Sequence, residues 1–165
     1  MRIVADSSPL IYLSAISQFD LLRLYFSSVL IPNAVHEEVV RAGNEQHGAS
    51  ETQAGVEEGW ITVVDPTNDP RIAFLLDQGM TPTDAHVVVL AQERQADLLI
   101  ADDATVRKQA QSLGLPLSGT LGILLNAQRD GHLPDLKTML DQLIAAGFYL
   151  QPNGPFYKDL LRRAL

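Results

Sequence analysis

Short runs that are apolar at almost every position punctuate the chain at 2–5 (RIVA), 28–31 (SVLI), 60–64 (WITVV) and 97–101 (DLLIA), with a weaker one at 115–118 (LPLS). A strand with one face in water alternates apolar and polar residues. A strand covered on both faces reads as a continuous apolar run, as in a parallel sheet between two layers of helices. Between the runs, apolar positions recur at helical spacing: 9–17, 20–26, 33–42, 69–78, 83–94, 103–114, 120–131, 136–147 and the tail 154–165. In 33–42, Val35, Val39 and Val40 share a face. Asp20 and Asp69 stand where N-caps are expected, with Pro70 at a first helical position, and Gly114, Gly131 and Gly147 are natural stops. The polar, glycine-containing stretch 41–55 reads as a loop or a frayed helix. Strands alternating with helices predict an α/β fold. It would be a three-layer sandwich around a central, mostly parallel sheet of four to five strands, forming a single domain over 1–165 with a C-terminal helix at about 155–165.

Composition narrows the class. With 46% apolar and 19% charged residues in 165, the chain has a globular profile. No apolar run approaches the ~20 residues needed to span a bilayer, and no basic segment leads into a long apolar stretch as in a secretory leader. There are no cysteines, which removes disulfides and thiolate metal sites and fits a reducing cytoplasm. The formal charge of −8 argues against a broad basic face that coats nucleic acid. It leaves room for local attraction through divalent ions, which reverse the field of a carboxylate cluster.

Two of the apolar runs end in aspartate: Asp6 closes the first, and Asp102 and Asp103 follow the fourth. In open parallel sheets, ligands bind outside the carboxyl ends of strands where strand order reverses. If the first and fourth strands are neighbours, Asp6 and Asp102 face one crevice. Capping explains one aspartate of the 102–103 pair equally well. Glu38 lies one turn into the helix after the second strand; Val35 and Val39 place it near the buried edge and Glu37 further toward water. An ordinary surface glutamate at a helix start is the plainer reading. Asp84, in TPTDAHVVVLA, is the third helical residue of a capping box begun by Thr81, or a carboxylate ligand at the start of a buried helix. His86 reads as a partly buried or supporting histidine. Carboxylates held close repel one another and lose hydration, and a hard divalent cation relieves both costs. All-oxygen donors without cysteine favour Mg²⁺ or Mn²⁺ over zinc.

These segments together resemble the PIN-domain nucleases. The resemblance is carried by Asp6 in VADSSPLIYL, Glu38 in IPNAVHEEV, Asp84 in TPTDAHVVVLA and Asp102 in DLLIADD, and covers about 1–150. The segment IADDATVRKQAQSLGLPLSGTLGILLNAQRDG looks like a prokaryotic, VapC-like branch. The resemblance implies a Mg²⁺- or Mn²⁺-dependent endoribonuclease in which Asp6, Glu38, Asp84 and Asp102 hold one or two ions and water attacks the phosphodiester. Counting leaves the fourth place open between Asp102, which the strand register favours, and Asp103, which would otherwise act through water. Many relatives are toxins silenced by a small antitoxin protein, and homodimers are common among them. The related branch often carries a glutamate where this chain has Asp84.

Ser7 and Ser8 could bond a carboxylate or a phosphate, or simply turn the chain into its first helix. Gly119 and Thr120 precede a helix whose free N–H groups could receive a phosphate oxygen, with Thr120 otherwise a plain N-cap. Arg107, Lys108, Arg162 and Arg163 could contact RNA or a partner, or lie on solvated helix faces. Two other sheet enzymes fit less well. A haloacid-dehalogenase-type phosphatase needs an aspartate two residues after its nucleophile, where Ser8 stands. A phospho-receiver needs a lysine ending its fifth strand, and LPLSGT has none. A PIN-like module that only binds RNA or protein is the non-enzymatic alternative.

Overall fold

The computed structural model describes residues 1–41 and 46–165. The apolar runs form one sheet: β1 (Ile3–Ala5), β2 (Val29–Ile31), β3 (Ile61–Val63), β4 (Leu98–Ile100) and β5 (Leu117–Ser118). Its spatial order is β3-β2-β1-β4-β5, and every pairing is parallel, with Val4 opposite Leu30 on one side and Leu99 on the other. β1 is central, and Ile3, Val4 and Ala5 are all buried, which accounts for a run with no polar alternation.

The helices are α1 (Ser7–Ala15), α2 (Asp20–Tyr25), α3 (Asn33–His36), α4 (Ala49–Glu57), α5 (Asp69–Asp77), α6 (Pro82–Glu93), α7 (Ala104–Ser112), α8 (Thr120–Arg129), α9 (Leu136–Ala145) and α10 (Pro155–Arg163). They flank the sheet to give the three-layer α/β sandwich. α6 packs on β1 and is buried nearly all round, with Val87, Val88, Val89, Leu90 and Ala91 out of water. That burial outweighs the weak helix propensity of three successive valines. Among the described residues no helix is long and apolar enough to cross a membrane.

Several local expectations shift. Asp20 and Asp69 are first helical residues rather than caps: Phe19 precedes α2, and Asn68 caps α5 by accepting the Arg71 N–H at 3.1 Å. The helix expected over 33–42 is α3 followed by a π-helical turn, Glu37–Arg41. Val35 and Val39 stay buried, but the wider i→i+5 turn advances less per residue than an α-helix. The expected exposures reverse: Glu38 is exposed, while Glu37 is half-buried and pairs with Arg41 at 2.9 Å. The stretch 41–55, read as a loop or frayed helix, contains most of α4, while 42–45 lie outside the described residues.

Strand order reverses at β1, so the crevice lies beyond the carboxyl ends of β1 and β4. The Asp6 N–H donates to the Ile100 carbonyl at 2.9 Å, carrying the β1–β4 ladder past both strands and bringing the two aspartate-bearing ends together.

Candidate active site

Asp6 is the N-cap of α1. Its Oδ1 accepts the Ser7 N–H at 2.8 Å, with the backbone extended at φ −83° and ψ 171°. The residue is only 4% exposed. One N–H is thin compensation for a carboxylate so far out of water. Burial therefore pushes its pKa up to about 7 against the Ser7 bond, and the charges of Asp84, Glu38 and Asp103 push the same way.

Asp84 is on the first turn of α6, where the Thr81 Oγ1 accepts its N–H at 3.2 Å, so the capping position read from TPTD is real. Burial raises the Asp84 pKa; the Thr81 side chain opposes this, and repulsion from Asp103 and Glu38 adds to it. Glu38 reaches the group from the π turn. Asp103 caps α7, its Oδ1 accepting the N–H groups of Thr105 at 2.8 Å and Val106 at 3.0 Å. The charges that act on Asp6 and Asp84 are all negative.

Asp102 has a different situation. Its Oδ1 accepts the Thr120 N–H at 2.8 Å, and its Oδ2 accepts the Thr120 Oγ1–H at 2.6 Å. Burial raises its pKa, while those two bonds and the Arg107 charge pull it down. Arg107 donates to the Ala101 carbonyl at 2.8 Å and the Ser118 carbonyl at 3.2 Å, tying the ends of β4 and β5. A Cβ on Gly119 would stand 2.6 Å from Asp102 Oδ1 and 3.0 Å from the Ala101 carbonyl oxygen, so only glycine allows this approach. Asp102 thus staples the start of α8 to the end of β4.

β1 and β4 are neighbours, yet the acids after β4 divide the work. Asp103 joins Asp6, Asp84 and Glu38 electrostatically, whereas Asp102, also raised by burial, is bonded by Thr120 and faces the Arg107 charge. Thr120 is the first residue of α8 rather than its cap, and its N–H is already taken. His86 Nδ1 lies 2.6 Å from the Pro82 carbonyl, fixing the half-buried ring to its own helix. The Ser7 hydroxyl is buried without a hydrogen-bond partner.

The family model described as a PIN domain matches residues 2–164. The chain belongs to the PIN-domain family. No curated protein sequence matches it. The PIN domain is a nuclease fold, and PIN-domain nucleases usually use divalent metals. In this member, no group of three or more acids or histidines among the described residues is arranged to hold a metal ion. The chemistry of the donors nevertheless suits a hard cation: carboxylate oxygens, that of Asp6 buried, whose charges push the Asp6 and Asp84 pKa values up together.

Two features escaped the sequence reading. Arg107, read there as either a nucleic-acid contact or part of a solvated face, is a structural tie. A cavity of about 580 Å³ opens beside the acids, walled partly by aromatics from the segment after α9 and from α10. The doublets Phe148–Tyr149 and Phe156–Tyr157, set around a turn rich in proline and glycine, were the available signal.

Proposed function

We propose that this PIN-domain protein is a Mg²⁺- or Mn²⁺-dependent endoribonuclease, with Asp6, Glu38, Asp84 and Asp103 as the residues that would hold the metal. The observation that carries the reading is the unneutralised repulsion around Asp6, a buried acid flanked by carboxylates from three other elements. A bound divalent ion supplies charge stabilisation at phosphorus and a lowered pKa for water. The chain's own acids do the rest. Asp6, fixed on the Ser7 N–H, presents a rigid carboxylate at the end of the central strand. Asp84 and Asp103 bring theirs from helix starts already held by Thr81 and by the α7 N–H groups, so the oxygens arrive preorganised. Asp102, the other candidate for the fourth place, also holds the start of α8 through Thr120.

The test is cleavage of a labelled RNA in Mn²⁺. Asp6→Asn and Asp103→Asn lose cleavage with circular dichroism unchanged; either one cutting at the parent rate removes the assignment. Asp102→Asn separates the roles, because loss through the fold lowers the melting temperature along with activity. The role of toxin, a small antitoxin partner, a homodimer and a cytoplasmic location belong to the same proposal. Co-purification with the product of an adjacent small gene tests the partner. That the described residues show no group of three or more acids or histidines set to hold a metal favours a second reading, a PIN-like module that binds RNA or protein without cutting. Calorimetric titration with Mn²⁺ decides between the two: no affinity at millimolar concentrations supports the module.

A further inference from the structure

The cavity of about 580 Å³ beside the acids is lined by Asp102 and Asp103 and by two cations, Arg107 and Arg163. The cations differ in what already meets them. Arg163 has an Asp159 oxygen at 3.9 Å. Arg107 has no carboxylate within ion-pair distance among the described residues. Asp102 feels its charge, but each Asp102 oxygen accepts a bond from Thr120 instead. The two hydrogen bonds of Arg107 both leave from one nitrogen, Nη1, to the Ala101 carbonyl at 2.8 Å and the Ser118 carbonyl at 3.2 Å. A Cβ on Gly119 would come within 3.2 Å of the same atom, so Nη1 is pinned at the ends of β4 and β5. A guanidinium carries five N–H groups, and Nη1 accounts for two. The Nε–H and the Nη2 pair meet no acceptor among the described residues, and neither nitrogen is a buried atom left without a partner. Nε–H and one Nη2–H run parallel in a rigid plane, the fork that grips two oxygens of a phosphate.

We propose that Arg107 is a further catalytic residue, whose free Nε–Nη2 edge clamps the non-bridging oxygens of the phosphodiester being cut. The inference rests on the endoribonuclease reading and adds a residue to it. In the hydrolysis the water oxygen bonds to phosphorus and the bond to the leaving sugar oxygen breaks. That oxygen takes up a proton in place of the one the water gives up. The non-bridging oxygens stay on phosphorus throughout and carry the charge of the transition state. The carboxylates repel that charge, and the guanidinium offsets it. Because Nη1 is already fixed to the backbone, the free edge is held in place before substrate arrives, which is what makes such a donor effective. A tie between two carbonyls alone asks for no more than one cationic nitrogen. The planar group with a second edge is needed only where an oxyanion must be gripped as well.

The experiment compares the parent with Arg107→Lys and Arg107→Gln on a labelled RNA, reading cleavage in Mn²⁺, binding by anisotropy in Ca²⁺, and melting temperature. Lysine keeps a charge and a donor for the two carbonyls but has no fork. Arg107→Lys therefore melts close to the parent yet loses about a hundredfold in kcat, the low end for one such donor, with a much smaller change in KM. A purely structural role would lower the melting temperature and the active fraction and leave the rate of the folded protein alone. The second probe is the same RNA with one neutral methylphosphonate linkage at successive positions. At the linkage the parent cuts, the neutral linkage weakens parent binding until parent and Arg107→Gln bind alike; at every other linkage the gap between them remains. Parent-rate cleavage by both variants, a rate loss that tracks melting temperature, convergence at a linkage other than the one cut, or no convergence anywhere overturns the assignment. The two readings fail separately. A parent that cuts no faster than Arg107→Gln keeps the nuclease and loses the clamp; one that never cuts but converges with the variant at a single linkage keeps the clamp and loses the nuclease.

Discussion

Replacing Asp6 with asparagine should stabilise the metal-free protein, and only at higher pH. Asparagine keeps an oxygen for the Ser7 N–H, and aspartate and asparagine are nearly equal as caps. What it removes is the charge. Burial, assisted by repulsion from Asp84, Glu38 and Asp103, lifts the Asp6 pKa from 3.8 to about 7. At about 1.4 kcal/mol per unit, that shift of roughly three units is worth about 4 kcal/mol. The folded pKa lies above the unfolded one, so the native state holds its proton longer. The associated stability is fully present below pH 4 and is lost as pH rises through about 7. Losing the favourable interaction of the carboxylate with the α1 N-terminus gives back about 0.5 kcal/mol. Urea unfolding in EDTA therefore gives Asp6→Asn an advantage of about 3.5 kcal/mol at pH 8 and one within about 1 kcal/mol of zero at pH 4. Mn²⁺ at a hundredfold excess over its Kd should raise parent stability by about 2.7 kcal/mol at pH 8 and do far less for the variant. A folded Asp6→Asn protein that is no more stable than the parent at pH 8 refutes the reasoning, because the buried carboxylate would then already be compensated.

Gly119→Ala forces a methyl to 2.6 Å from Asp102 Oδ1 and should cost about 1–3 kcal/mol in urea melts, with Arg107 and α8 displaced together. Thr120→Val removes one of the bonds to Asp102 while keeping the N–H, and a loss of about 1–2 kcal/mol is expected. Tyr157→Phe deletes the hydroxyl that bonds Asp141 at 2.5 Å and should lower stability by about 1 kcal/mol, read as faster amide exchange across α10 before other elements.

The sheet was legible because β1, β2 and β4 are largely buried on both faces, which writes itself as unbroken apolar runs, while edge strand β3 leaves Thr62 exposed. The pairing of β1 with β4 was only a condition there: two runs ending in aspartate share a crevice if those strands are neighbours, and they are. α4 was not legible: it buries Thr52 and Gly55 rather than large apolar residues, and a Cβ on Gly55 would come within 2.5 Å of the Ile61 side chain. Its packing is backbone against Trp60 and Ile61, which leaves no amphipathic stripe. Glu38 was placed on the right turn, but the π-helical widening that sets its exposure has no mark in NAVHEEVVR. The division between Asp102 and Asp103 depends on Thr120, far along the chain. Alternation beyond a strand end cannot report which of two acids meets a hydroxyl contributed by another loop.

The pairing of β1 with β4 sets Ile3 beside Leu98, so the halves of the crevice come from distant parts of the polypeptide. During synthesis, Asp6, Glu38 and Asp84 leave the ribosome before the strand that completes their surroundings. Until β4 docks, the group lacks Asp103 and the bond from the Asp6 N–H to the Ile100 carbonyl. The fourth carboxylate of the group therefore arrives last, with the closing of the sheet.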